Sequence, residues 1–187
     1  MSSINLSIKD QGICHQIAFD SIKHGLSQGT ALNIITRDYS QDLQQDLASF
    51  VTLHKNDTLR GCIGAIEARQ PLVNDIAEHA YAAAFQDPRF PPLQDSELNQ
   101  LDVEISVLSQ SEQILFDSEE ELLQKIRPDV DGLIIEAGYN RGTFLPSVWE
   151  QLPDKKDFLN HLKMKAGFPS DWWDSNAKIS RYETFSF

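Results

Sequence analysis

Apolar residues recur at three- and four-residue steps in three parts of the chain, a spacing that predicts helices. The first helix covers about 10–28, and Gly29 suits its left-handed end. The second covers 72–86, and its buried stripe is rich in alanine, so it can lie close to whatever it covers. The third covers about 155–166 and stops at Gly167.

Other segments have the composition and alternation of strands. Two β-prone runs, 50–54 and 59–66, flank the turn-like residues 55–58, which predicts a hairpin. A further strand is expected at 103–108, and a second hairpin at 132–145. Strands in hairpins between helices are typical of an α+β fold, with a mainly antiparallel sheet and flanking helices.

The strand that contains LRGCIG carries the chemistry of most interest. Alternation places Arg60, Cys62 and Gly64 on one face and Gly61 on the other, with Arg60 and Cys62 about 7 Å apart. A guanidinium near a thiol favours the thiolate, which is the nucleophilic form. Glu104, on another strand, is expected to pair with Arg60. Three roles stay open for Cys62: a nucleophile, a ligand contact, or a small packed hydrophobe.

His79 is the strongest candidate for a general base among the five histidines. It borders the apolar stripe of the 72–86 helix, and Asp75, four residues earlier, can orient its ring. The alternative is a solvated histidine at the edge of the helix.

The loop 87–93 holds Arg89 and Phe90 between prolines, which fix an extended and rigid backbone. It is either a recognition edge that displays these two side chains or a structural loop. In the structural case, Phe90 fills the core and Arg89 caps the carbonyl groups of the preceding helix.

The acidic run 117–121 resembles a metal site, but Ser118 and Glu121 form a capping box, and carboxylates are favoured at a helix start. The chain has no HExxH or CxxC motif and no close histidine pair, so a protein-borne metal site is not expected. It also lacks GxSxG and P-loop motifs, which excludes the usual serine hydrolases and nucleotide triphosphatases.

Composition and net charge limit the kinds of partner that we expect for this chain. The chain has 187 residues and a formal net charge of -12, which would repel nucleic acid. It has no signal-like or membrane-spanning apolar run, and two cysteines are too few for a disulfide framework. We therefore expect a cytoplasmic protein with reduced thiols, one domain over 1–187 with two lobes at most, and neither nucleic acid nor membrane as a partner.

Six segments, in order along the chain, resemble the AMMECR family: LRGCIG at 59–64, AAAFQDPRFPPL at 82–93, VEISVLS at 103–109, DGLII at 131–135, GTFLPSVWEQL at 142–152 and FLNHLKMKAG at 158–167. The chain is similar to the bacterial and archaeal branch called AmmeMemoRadiSam system protein A. The resemblance implies an α+β fold with a larger and a smaller lobe and a cleft between them. It also implies association with a Memo-like protein and a radical S-adenosylmethionine protein. Lys163 stands where some relatives carry cysteine, so a mechanism that needs two family cysteines is not expected.

The expected function is that of an enzyme, or a component of one, which uses the Arg60/Cys62 strand face on a small or peptide-like substrate, without a cofactor. The alternative is a non-catalytic binding or scaffold module of the three-protein system. The candidate catalytic residues are Cys62, Arg60, Glu104 and His79, and the candidate ligand-binding residues are Gly61, Gly64, Arg89 and Phe90.

Overall fold

The computed structural model describes residues 6–174 and 176–187. Within these residues the α-helices are α1 (Ile8–Gln28), α2 (Leu72–Phe85), α3 (Glu119–Lys125) and α4 (Lys155–Lys165). The strands are β1 (Ala48–Lys55), β2 (Thr58–Gly64), β3 (Leu101–Leu108), β4 (Glu112–Ile114), β5 (Gly132–Ala137), β6 (Asn140–Phe144), β7 (Lys178–Tyr182) and β8 (Thr184–Ser186). The chain forms two compact units: a larger one, 6–108 with Phe185–Phe187, and a smaller one, Ser109–Thr184.

The larger unit is a sheet with helices packed on it. Its strand order is β2-β1-β3-β8, and β1 pairs antiparallel with both β2 and β3. Helix α2 lies on β1 and β2 and packs against α1. The contact with β2 is close because Gly61 has no side chain; a Cβ there would lie 2.1 Å from the Ala83 carbonyl oxygen. The alanine-rich stripe therefore allows the close approach that the sequence predicts.

Strand β1 defines the two faces of this sheet. Ser49, Val51 and Leu53 are buried on the side of α2, which we call the inner face. Phe50 and Thr52 alternate with them on the opposite side, the outer face. Residues paired directly across strands share a face, so the register assigns each residue of β2 and β3 to one side.

The smaller unit has its own sheet and core. The strand order is β4-β7-β5-β6, and each neighbouring pair is antiparallel. Trp149 stacks on Phe158 with ring centroids 3.7 Å apart, and both side chains are fully buried. Lys163 is also buried, and its Nζ lies 2.7 Å from Glu119 Oε2.

Most of the predicted elements are confirmed, and the fold is α+β with antiparallel sheets. The β1–β2 hairpin turns through Asn56 and Asp57, both with positive φ, and Gly29 ends α1 with a φ of 73°. Ser118 accepts a hydrogen bond from the Glu121 N–H, as expected for a helix cap. Strands β4, β7 and β8 were not predicted. Among the described residues, no helix has the length and apolar character needed to cross a membrane.

Candidate functional site

Cys62 lies on the outer face of the larger unit and is half-buried. It pairs with Thr52 of β1, whose hydroxyl donates a hydrogen bond to Cys62 Sγ at 3.3 Å. The second cysteine, Cys14, is fully buried in the core, and burial raises the pKa of its thiol to about 12. The two thiols therefore have different environments.

The backbone of Cys62 is held by the loop that follows α2. Strand β2 is an edge strand, so one side of its backbone has no neighbouring strand. On that side the Cys62 N–H donates to Asp87 Oδ2 at 2.9 Å, and Arg89 Nη2 donates to the Cys62 carbonyl at 3.3 Å. Because these groups point away from β1, Cys62 and Thr52 form a non-hydrogen-bonded pair, which brings their side chains close together.

Arg89 and Asp87 form a close ion pair beside the thiol. Arg89 Nη2 lies 2.7 Å from Asp87 Oδ2, and Arg89 Nε lies 3.0 Å from Oδ1. The hydrogen bonds from Arg89 hold the pKa of Asp87 well below its usual range. Asp87 in turn raises the pKa of Arg89, and Cys62 adds to this effect. Arg89 is thus a fixed cation next to Cys62, with more than half of its side chain exposed.

Arg60 does not occupy the position that strict alternation predicts. Gly61 pairs with Leu53 and Leu59 pairs with His54, so Arg60 is the extra residue of a β-bulge. The bulge changes the alternation, and Leu59, not Arg60, shares the face of Cys62. The expectation that Arg60 and Cys62 share one face of the strand is therefore wrong.

The partner of Arg60 is Glu97, not Glu104. Arg60 donates from Nε and Nη2 to the two Glu97 carboxylate oxygens, each at 3.0 Å, and from Nη2 to the Pro91 carbonyl at 2.9 Å. Lys55 contacts the same carboxylate, and Arg60 and then Lys55 lower the pKa of Glu97 to about 2. Arg60 is about nine-tenths buried, whereas Glu104 pairs with Thr52 across β1 and β3 and is exposed.

The other residues proposed for ligand binding are Phe90, which lies near two arginines, and two glycines at close-packed positions of β2. Phe90 is half-buried, and the guanidinium carbons of Arg89 and Arg60 lie 5.5 and 5.9 Å from its ring centroid. Gly64 lies beneath the ring of Phe50, which a Cβ at this position would meet at 2.3 Å. Arg89 thus contacts Cys62 and lies over Phe90, while Gly61 and Gly64 allow close packing on opposite faces of the sheet.

His79 lies on the other side of the sheet from Cys62. Its Nδ1 is 3.0 Å from Asp75 Oδ2, as its spacing from Asp75 predicts, and 3.4 Å from Ser49 Oγ. Ser49 donates to the same carboxylate oxygen from its N–H at 2.8 Å and from its hydroxyl at 2.6 Å. Since Ser49 belongs to the inner face and Cys62 to the outer face, these two candidate catalytic residues belong to separate places in the larger unit.

Sequence reasoning missed Thr52, Asp87 and Glu97 as parts of the site. The alternation in β1 could have indicated Thr52, because a two-residue turn fixes which residues face each other in a hairpin. Asp87 and Glu97 gave no such signal. They lie in irregular backbone and a short 3₁₀ helix, where their contacts depend on the path of the loop.

Comparisons with known proteins agree on one family. The AMMECR1 family model matches residues 15–187. A protein of Methanothermobacter thermautotrophicus is 41% identical over 152 residues, which cover 80% of this chain and 79% of that protein. Protein MJ0810 of Methanocaldococcus jannaschii is 40% identical over 158 residues, or 82% and 79% of the two chains. The crystal structure of the uncharacterized protein PH0010 from Pyrococcus horikoshii has a TM-score of 0.80, with 34% identity over 93% of this chain and 88% of that one.

Proposed function

The chain belongs to the AMMECR1 family, and from this premise we propose that it is an enzyme, or a component of one, whose reacting group is the Cys62 thiol. The substrate is a small or peptide-like molecule with an electrophilic atom that reaches the outer face of the sheet. The observation that carries this proposal is the setting of Cys62: its sulfur accepts a hydrogen bond from Thr52, and Arg89 donates to the carbonyl of the same residue.

The roles follow from this geometry. Cys62 supplies the thiolate, and Thr52 and Arg89 stabilise its charge. Asp87 is a positioning residue, because it binds both the Cys62 N–H and the Arg89 guanidinium. The same ion pair limits the effect, since the Asp87 charge partly cancels the field of Arg89 at the sulfur. Arg60 and Glu97 hold the loop that carries Phe90 and Pro91 against β2.

Alkylation by iodoacetamide near neutral pH tests the proposal. Mass spectrometry of the two cysteine peptides gives a rate for each thiol, and Cys62 should react much faster than the buried Cys14. Arg89→Gln should slow the alkylation of Cys62, because it removes the cation next to this residue that favours the thiolate. Arg69→Gln is the matched control because it also removes an arginine, one that is exposed and pairs with Glu67. Equal, slow alkylation of both cysteines would refute the nucleophile, as would an Arg89→Gln rate equal to that of the control.

The alternative is a non-catalytic binding module that assembles with a Memo-like protein and a radical S-adenosylmethionine protein. It is favoured by Arg60, whose hydrogen bonds go to Glu97 and Pro91 within the chain, so that the LRGCIG strand also has a structural role. Co-purification with either partner, unchanged by Cys62→Ala, would support this alternative. Failure to retain either partner in a pull-down with the purified proteins would count against it.

A further inference from the structure

We propose that the larger unit carries a second, separate site, which binds small primary amines as ammonium ions. The site is a groove between the end of α1 and the exposed side of α2, which we call the α2 groove. Its volume is about 450 Å³, which lies in the range of small-molecule sites. Gly29 and Thr30 line it from the end of α1, and Glu78, His79 and Gln86 line it from α2.

The histidine in this groove is held in one orientation. Asp75 is buried, and its Oδ2 accepts hydrogen bonds from the N–H and the hydroxyl of Ser49. Three donors converge on this oxygen when His79 Nδ1–H is included, 3.0 Å away. In the neutral tautomer that donates from Nδ1 to Asp75, the lone pair of His79 lies on Nε2. The nitrogen left for a guest molecule is therefore a hydrogen-bond acceptor.

The charges around the groove favour a cation. Of the described residues that line it, none is lysine or arginine, and Glu78 contributes a carboxylate. Glu78 accepts a hydrogen bond from Gln70 through one oxygen, Oε2, at 2.7 Å. The carbonyl ends of α1 point toward Gly29, and the end of a helix carries a partial negative charge. Carboxylate, helix end and imidazole lone pair all favour a guest that donates hydrogen bonds and carries positive charge.

A primary ammonium group meets these requirements. It has three N–H donors and one positive charge, so it can donate to more than one of the acceptors that line the groove. The Gly29 carbonyl already accepts from Tyr81 Oη at 2.7 Å, but a carbonyl oxygen has a second lone pair. Ala31 and Ala82 line the same groove and can contact a short alkyl chain. A carboxylate-bearing molecule of equal size would be repelled.

Nuclear magnetic resonance of the histidine rings tests this site with n-butylammonium as the probe and butyrate as the anionic control. Long-range proton–nitrogen spectra of the full chain should show Nδ1 protonated in His79. They should also show a saturable shift of its Nε2 with butylammonium and none with butyrate. His79→Gln should weaken binding about tenfold, because it removes a hydrogen bond to a charged group. In this variant, binding is measured from the shifts of the backbone amide signals of Gly29 and Thr30.

Matched carboxylate variants separate this site from a general attraction to an acidic protein. Glu78→Gln should weaken binding about twofold to fivefold, as expected for an exposed ion pair. Glu120→Gln removes the same charge from an exposed position in the smaller unit and should leave binding unchanged. Equal effects of the two variants, or a shift that does not saturate, would overturn the proposal. Alkylation of Cys62 uses the opposite face of the sheet, so either proposal can fail while the other stands.

Discussion

The substitution Glu97→Gln tests the pairing on which the β2 loop depends. Glutamine has nearly the shape of glutamate but no charge, and its NH₂ group would face an N–H of Arg60. The substitution therefore leaves the guanidinium of Arg60 in place, about nine-tenths buried, without its counter-ion. We expect a large loss of stability in the larger unit.

Two independent arguments give the magnitude. Breaking a buried ion pair by removing one partner costs about 3–5 kcal/mol. Arg60 and Lys55 lower the pKa of Glu97 from 4.5 to about 2, which corresponds to about 3 kcal/mol. The Glu97 side chain is 15% exposed, so solvent weakens the pair only in part. We therefore expect the free energy of unfolding to fall by about 3 kcal/mol at pH 7.

Urea unfolding followed by circular dichroism measures this loss, with Glu104→Gln as the control. Glu104 is exposed, and its substitution should change the free energy of unfolding by about 0.5 kcal/mol at most. Because the pKa of Glu97 is lowered by folding, its stabilisation is complete above pH 4.5 and is lost as the pH falls toward 2. The difference between the wild type and Glu97→Gln should shrink over that range. Equal costs for the two variants, or a difference independent of pH, would refute the Arg60–Glu97 assignment.

Two further predictions concern packing and burial. Gly61→Ala should destabilise the larger unit by about 1–3 kcal/mol in urea unfolding, because its Cβ would meet the Ala83 carbonyl. Gly12→Ala, where a Cβ meets nothing within 4 Å, should instead stabilise α1 by about 0.5–1 kcal/mol. If the free energy of unfolding changed in the same direction in both variants, the packing described at Gly61 would be contradicted. Burial raises the pKa of Tyr182 to about 12, so the unfolded chain ionises first and stability should fall as the pH rises from 10 toward 12. Tyr182→Phe should remove this dependence in alkaline unfolding experiments, and its persistence would show that another group is responsible.

The helices and the first hairpin could be predicted because their signals are local. The apolar stripe of α2 repeats with helical spacing, and Asn56-Asp57 has the composition of a tight turn with positive φ. The dyad of Asp75 and His79 was also accessible, since residues four apart face each other on a helix. Each of these features depends on residues that are close in sequence.

The environment of Cys62 could not be predicted in the same way. Alternation along β2 assumes regular pairing, and the bulge at Arg60 depends on how β2 matches β1. The choice of Glu97 over Glu104 depends on the loop between α2 and β3, which brings Glu97 to Arg60 across 37 positions of sequence. Strands β7 and β8 lie in a tail where aromatic residues predict packing but give little alternation.

The Asp87–Arg89 pair has a consequence for solubility. An open strand edge is a template on which another chain can add its own strand, and this is a common start of aggregation. At the middle of β2 both backbone groups that such a chain would need are already bound within the molecule. A protein that lost this pair would offer neighbouring copies a place to polymerise.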